Sequence, residues 1–411
     1  MPTRWIVCDM PDLFSATRSS PPQSQALRYS YEKAGLTIDD QPIPWCAESV
    51  IVEALVRVGA ITPRTRLEFA LKLTAAAAIP PEIVRPDETP GLARLFFRLP
   101  PPRASTTAEL QWKQRSLGQT TLPVLTRDEF LSRLQIQHPT VQTLLSGATA
   151  ACRTFVSSQA RGLIASSVWS SPTSLAPLVD LQPAIELANA LGGTVERAEL
   201  MLSGAQLRSK QALASVELRK PPKTGPWQVR WMLGNRNIQL QTIRAVTRVA
   251  LEKSLRLLGG RFLIQQAANL SIVRLPPAEL KSEERLGPIF ILASSELGMA
   301  GRCAVSLRGL DSNQSLVFEL PAQEVLVRDG PTPVALGTFS REDVRSIRSF
   351  ELRVGKRRIG LLSLDPAPTA HFDAEGSFAM PTEDFPWSAT AESQLQERLA
   401  NLMSSKNDGE Q

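Results

Sequence analysis

The chain has 411 residues, 43% of them hydrophobic and 21% charged, with a formal net charge of +6. That much apolar material excludes a wholly disordered chain, and the length corresponds to about three domains. The 32 prolines and 23 glycines point to many short elements joined by turns.

The first 14 residues, MPTRWIVCDMPDLF, hold aspartates where a secretion signal needs an apolar run. No stretch reaches the roughly 18 uninterrupted apolar residues of a membrane span. Cys8, Cys46, Cys152 and Cys303 are too widely spaced for a metal or redox motif, and are read as small buried or half-buried thiols. The expected setting is a reducing, bacterial-type cytoplasm without membrane contact. Two glycosylation-like triplets, Asn269-Leu270-Ser271 and Asn313-Gln314-Ser315, carry no weight there.

Residues 1–60 offer short strands around Ile6 and Tyr29/Tyr31 and a turn at Asp39-Asp40, forming a small N-terminal β region open to pairing with the next module. Val50, Val52, Ala54, Val56 and Val58 then alternate with Ile51, Glu53, Leu55 and Arg57. The same period recurs at Leu67/Phe69/Leu71/Leu73, Leu95/Phe97/Leu99, Leu110/Trp112, Ala198/Leu200/Leu202 and Ala214/Val216/Leu218. It continues at Trp227/Val229/Trp231/Leu233, Cys303/Val305/Leu307, Leu316/Phe318/Leu320 and Phe350/Leu352/Val354. Successive strand side chains point to opposite faces, so this pattern describes antiparallel sheets with one dry and one wet face. Pro80-Pro81, Pro100-Pro101-Pro102, Pro221-Pro222, Pro276-Pro277 and Asp329-Gly330-Pro331 punctuate it as turns or joints. The expected fold is mainly β: tandem antiparallel β-sandwich modules, immunoglobulin-like in general plan, without a Cys…Trp…Cys signature.

A weak internal repeat supports modules. Residues 151–165 align without a gap on 349–363, and both read as hairpins; 255–264, with Gly259-Gly260 at its turn, reads as the middle counterpart. Upstream, Thr126-Arg127-Asp128-Glu129 and Ser340-Arg341-Glu342-Asp343 have the capping-box spacing of a helical turn, and Thr242 stands at the matching place in the middle copy. The expected modules are 61–170, 178–275, which is basic, and 286–365. An acidic extended segment follows over 366–411, ending in an amphipathic helix near 389–403. Ser388 is its cap and Leu395, Leu399 and Leu402 its stripe, with Phe385 and Trp387 preceding a helix that docks on a sandwich.

Chemistry-bearing motifs are scarce: no nucleophile elbow, phosphate loop, His-Glu-x-x-His or Cys-x-x-Cys occurs. His138 reads as a loop histidine. His371, Asp373 and Glu375 would share a face in an extended segment and could hold a cation, the basis of a metal-dependent enzyme reading. Asp39-Asp40, Glu283-Glu284 and Glu383-Asp384 read as turn or linker formers. Charge is uneven. Residues 190–275 carry 14 Lys/Arg against 4 Asp/Glu, whereas 366–411 carry 2 against 8. Arg219, Lys220, Lys223, Arg230, Arg236, Arg244, Arg248, Lys253, Arg256 and Arg261 form the candidate polyanion or acidic-partner surface, with Trp227 and Trp231 among them. The two tryptophans belong to the apolar alternation and read as core. The leading expectation is a non-enzymatic cytoplasmic scaffold or adaptor that binds protein partners and uses no cofactor. The alternatives are nucleic-acid binding through 190–275 and a metal-dependent enzyme centred on His371.

Overall fold

Val50, Val52, Ala54 and Val56 are fully buried, while Ile51, Glu53 and Leu55 between them are half-buried. This one-sided strand is the commonest building unit of the computed structural model. The structure describes residues 22–364 apart from 59–60, 62–64, 75–76, 219–222, 268, 275 and 278–279. The chain is a mainly β protein of tandem sandwiches, divided into two compact units. In their described parts, one runs up to Gln135 and takes in Trp169–Leu181 and Leu202–Ala212; the other is Ile136–Val168 with Gln182–Met201 and the described chain from Leu213 onward.

The first unit holds β1 (Gln23–Lys33), β2 (Leu36–Asp39), β3 (Ile43–Pro44), β4 (Ser49–Arg57), β5 (Phe69–Leu73), β6 (Ile83–Pro86), β7 (Leu92–Leu99), β8 (Thr106–Trp112), β9 (Arg115–Leu122) and β10 (Val124–Leu125). One sheet runs β2-β1-β4-β7-β6 and a second β5-β8-β9, with a short parallel pair β3-β10. Their facing sides share one core around Tyr31, Val52, Phe69, Leu71, Leu95, Phe97 and Leu110. Strands from before and after residue 60 therefore lie in a single sheet. Leu67 departs from its expected alternation: it sits in a helical turn, Thr65–Glu68, and is exposed, whereas Phe69 and Leu71 are buried.

The second unit begins with β11 (Gln135–Leu145), β12 (Ala148–Ala151), β13 (Thr154–Val156) and β14 (Gly162–Ser170). It continues with β15 (Pro183–Asn189), β16 (Thr194–Glu199), β17 (Gln211–Leu218), β18 (Gly225–Leu233) and β19 (Arg236–Val246). The last part comprises β20 (Leu255–Gln266), β21 (Asn269–Val273), β22 (Glu284–Ser294), β23 (Met299–Leu310), β24 (Leu316–Val327), β25 (Thr332–Ala335), β26 (Ser349–Val354) and β27 (Arg357–Ser363). Two four-stranded sheets, β12-β11-β14-β17 and β21-β20-β22-β25, accompany a nine-stranded sheet β16-β15-β18-β19-β13-β23-β26-β27 with β24 also on β23. The three residues of β13 lie parallel to both β19 and β23 and join strands from two sandwiches.

Two hairpin expectations are corrected. Residues 151–165 span the end of β12, all of β13 and the start of β14, strands that belong to different sheets. Residues 255–264 lie within the single strand β20. There Gly260 serves packing rather than a turn: a Cβ on it would overlap Leu362 of the opposite sheet, as one on Gly360 would overlap Leu257. The hairpin at 349–363 is present, as β26 and β27 turning at Gly355, whose φ is +59°.

The capping boxes form as their spacing dictates. Glu129 N donates to Thr126 Oγ1 at 3.2 Å and Thr126 N to Glu129 Oε2 at 2.9 Å. Asp343 N donates to Ser340 Oγ at 3.3 Å and Ser340 N to Asp343 Oδ2 at 2.9 Å. Thr242 is not a cap; it lies inside β19, and Thr247 caps the turn Arg248–Ser254 instead. Thr126-Arg127…Phe130 and Thr247-Arg248…Leu251 are thus equivalent connectors, each carrying the chain out of one sheet into the next long strand. Phe130 and Leu251 are fully buried.

Candidate functional site

The basic residues are dispersed. Arg219 and Lys220 lie outside the described residues. Arg230 is half-buried on β18, its guanidinium donating to Gln228 Oε1 at 2.6 Å and Gly192 O at 3.2 Å. Arg244 pairs with Glu296 at 3.4 Å. Arg248 pairs with Glu252 at 2.9 Å and Glu324 at 3.1 Å, and the hydrogen bond it donates to Glu252 holds its guanidinium above its ordinary range. Arg261 is half-buried and donates to Gly260 O. Lys223, Arg236, Lys253 and Arg256 are exposed, and no ion pair is seen for them among the described residues. Burial and then the neighbouring Arg256 charge depress the Arg357 guanidinium, which donates to Glu252 O at 2.6 Å and Leu255 O at 2.9 Å.

The aromatic component is not a stacking platform. Trp231 is fully buried, and Trp227 is half-buried with its Nε1 donating to Lys223 O at 2.7 Å. His138 is exposed on β11 with a φ of +49°. His371, Asp373, Glu375 and Glu383-Asp384 lie outside the described residues, as does the 389–403 segment. Among the described residues no three His, Cys, Asp or Glu side chains are grouped to hold a metal, and no helix is long and apolar enough to cross a membrane.

A polar cluster lies in the first unit. Lys33, at the end of β1, is buried and donates to both Asp180 oxygens, at 2.8 and 2.9 Å. Tyr31 Oη and Ser174 Oγ are 2.6 Å apart, and Ser174 N donates to Gln41 Oε1 at 2.6 Å. Burial pushes the Tyr31 phenol up to about 12. Burial, and next the Asp180 carboxylate, push the Cys46 thiol up to about 12. These contacts fasten the segment 174–180 to β1 and leave the cysteine a protonated, poor nucleophile.

The edges of the sheets are the other place where backbone groups remain to be paired. Charge or proline guards most of them. Examples are Arg85 and Pro86 on β6, Glu196, Arg197 and Glu199 on β16, Glu319 and Pro321 on β24, Pro333 on β25, and Arg357 and Arg358 on β27. The strand β21 reads Asn-Leu-Ser-Ile-Val, with neither guard, and among the described residues pairs on one side only, with β20. Leu270 and Ile272 on it are 36% and 37% exposed. This edge escaped the sequence reading, where Asn269 drew notice only as a glycosylation-like triplet. Its signal is an uncharged apolar-polar alternation between turns.

No family model matches the chain, and no curated protein sequence matches it. Among solved structures, it is similar to native alpha-2-macroglobulin from Escherichia coli spanning domains MG0-NIE-MG1. The identity is 9% over 84% of this chain and 97% of that one, with a TM-score of 0.23. It is also similar to the I9-I11 tandem from titin, at 9% identity over 76% of this chain and 90% of that one, with a TM-score of 0.23. Likeness at that level carries no argument, so the fold rests on the sheets themselves.

Proposed function

We propose that the protein is a non-enzymatic, cytoplasmic scaffold or adaptor that accepts an extended segment of a protein partner as an added strand on β21. The observation that carries this reading is the unguarded edge Asn269–Val273, with Leu270 and Ile272 exposed beside it. Main-chain hydrogen bonds along the edge would supply affinity, and the two apolar side chains would select alternate residues of the incoming strand. Affinity purification from the native organism, run in parallel on the wild type and on Ile272→Lys and Ser271→Pro, tests it. The expected result is a stoichiometric protein companion that both substitutions release at an unchanged thermal midpoint. A chain recovered alone, or a companion retained by both variants, overturns the reading.

Exposed Lys223, Arg236, Lys253 and Arg256 support a second reading, binding of nucleic acid through 190–275. Such binding would weaken steeply with salt, and no affinity for mixed DNA or RNA at about 50 mM salt eliminates it.

A further inference from the structure

The last sandwich brings together two basic stretches that lie about a hundred residues apart in sequence. The strands β20 and β27 belong to different sheets and cross closely, Leu362 against Gly260 and Leu257 against Gly360. Both contacts advance in the same direction along the two strands, so the start of β27 lies over the start of β20. There Arg357 donates to Glu252 O at 2.6 Å and Leu255 O at 2.9 Å, two carbonyls at the end of the helical turn Arg248–Ser254. Those bonds set its guanidinium beside Lys253 and Arg256, and Lys356 precedes it in the exposed turn between β26 and β27.

The carboxylates nearby are engaged elsewhere. Glu252 accepts from Arg248 Nε at 2.9 Å, Glu324 pairs with Arg248 at 3.1 Å, and Glu351 accepts from Arg353 at 2.9 Å. Among the described residues no ion pair reaches Lys253, Arg256, Lys356 or Arg357. Burial depresses the Arg357 guanidinium, the Arg256 charge depresses it further, and Glu252 opposes them more weakly. Like charges gathered without counter-charges repel one another, and a bound anion relieves that repulsion.

We propose that Lys253, Arg256, Lys356 and Arg357 hold a phosphate monoester carried on an extended segment of a protein partner. A phosphate monoester presents two negative charges and three acceptor oxygens, which match guanidinium forks and ammonium groups converging from two elements. Arg357 is already fixed by two carbonyls, so little side-chain freedom is lost when the anion arrives. The charges occupy one helical turn and one hairpin turn, a spot that fits a single phosphate. A nucleic-acid strand needs charges along a track and open aromatic faces, and Trp231 is buried. Arg256 stands at the end of β20 opposite the residues 262–266 that pair with β21, so the site does not depend on strand addition at that edge.

Fluorescence anisotropy on the full chain tests it, with a labelled seven-residue peptide of Ala and Thr carrying one central phosphoserine. The phosphopeptide should bind at least about tenfold more tightly than the same peptide with serine. Arg256→Gln/Lys356→Gln, made at exposed positions, should weaken it at least about tenfold at an unchanged thermal midpoint, and Arg357→Lys should weaken it although the charge is kept. Arg345→Gln, at an exposed arginine ending the turn Arg341–Arg345 of the same sandwich, should leave affinity unchanged. Equal affinity of the wild type for the two peptides overturns the proposal, whichever variants fold. So does phosphopeptide affinity that survives the double variant. Inorganic phosphate bound as tightly as the phosphopeptide overturns the partner assignment and leaves a site for a free anion. Tighter binding of single-stranded DNA, lost in the same double variant, overturns it in favour of nucleic acid.

Discussion

Cys152 and Cys303 are buried thiols, and burial pushes each up to about 12 from the ordinary 9.0. Tyr31 is raised to about 12 for the same reason. A buried neutral group binds its proton more tightly folded than unfolded, so above the unfolded value the native state holds more protons than the denatured one. Stability is then complete below about pH 9 and is lost as pH rises toward 12. Each fully buried thiol should lower stability by about 1.4 kcal/mol per pH unit in that window. Thermal midpoints from pH 8 to 11 should fall progressively, and Cys303→Ala should flatten the fall while lowering the midpoint at pH 8. A midpoint independent of pH over this range would contradict the assignment. The sequence reading reached these thiols from their scattered spacing alone, because isolated cysteines without partners are most easily accommodated as small apolar residues.

Among elements, the capped turns are where local sequence speaks most directly. The Thr126 box satisfies two amides that the turn Arg127–Arg133 leaves unpaired, and Phe130 then drops into the core. Thr126→Ala should cost about 1 kcal/mol, read as an earlier first unfolding transition in denaturant; Thr126→Ser should restore it. Thr126…Glu129 and Ser340…Asp343 were legible because a cap depends on residues three apart. Ser203…Gln206 makes an equal box that the internal repeat did not bring to notice. Gly259-Gly260 misled for the opposite reason. A turn and a tight crossing of sheets both favour glycine, and only the position of Leu362, a hundred residues away, decides between them. The β21 edge was invisible on similar grounds: being at an edge is a property of strand order, which no short stretch encodes.

Across the whole molecule, the mainly β class was legible because period two is repeated in almost every long strand. The seam at β13 was not. Thr154-Phe155-Val156 is too short to show a period, and its parallel partners lie about ninety and a hundred and forty-five residues further on. Gly298 is its clasp. Its carbonyl accepts from Arg153 N at 2.8 Å and Thr154 N at 3.0 Å, and its φ of +66° suits glycine. A Cβ there would stand 2.7 Å from the Arg153 backbone nitrogen. Gly298→Ala should therefore loosen the joint between the last two sandwiches at a cost of roughly 1–3 kcal/mol. In calorimetry, a shared transition should split in two; one unsplit transition at the wild-type midpoint would contradict this role.

The same three residues set a clock on biosynthesis. When the ribosome has delivered the chain as far as β19, one flank of β13 is satisfied and the other still shows open backbone. It stays so until Met299 and Ala300 emerge, some fifty residues later. At roughly 5–20 residues per second, that interval lasts about 3–10 seconds. For that time the nascent protein carries a raw flank in its interior, and its last third acts as the closure that an external chaperone would otherwise have to provide.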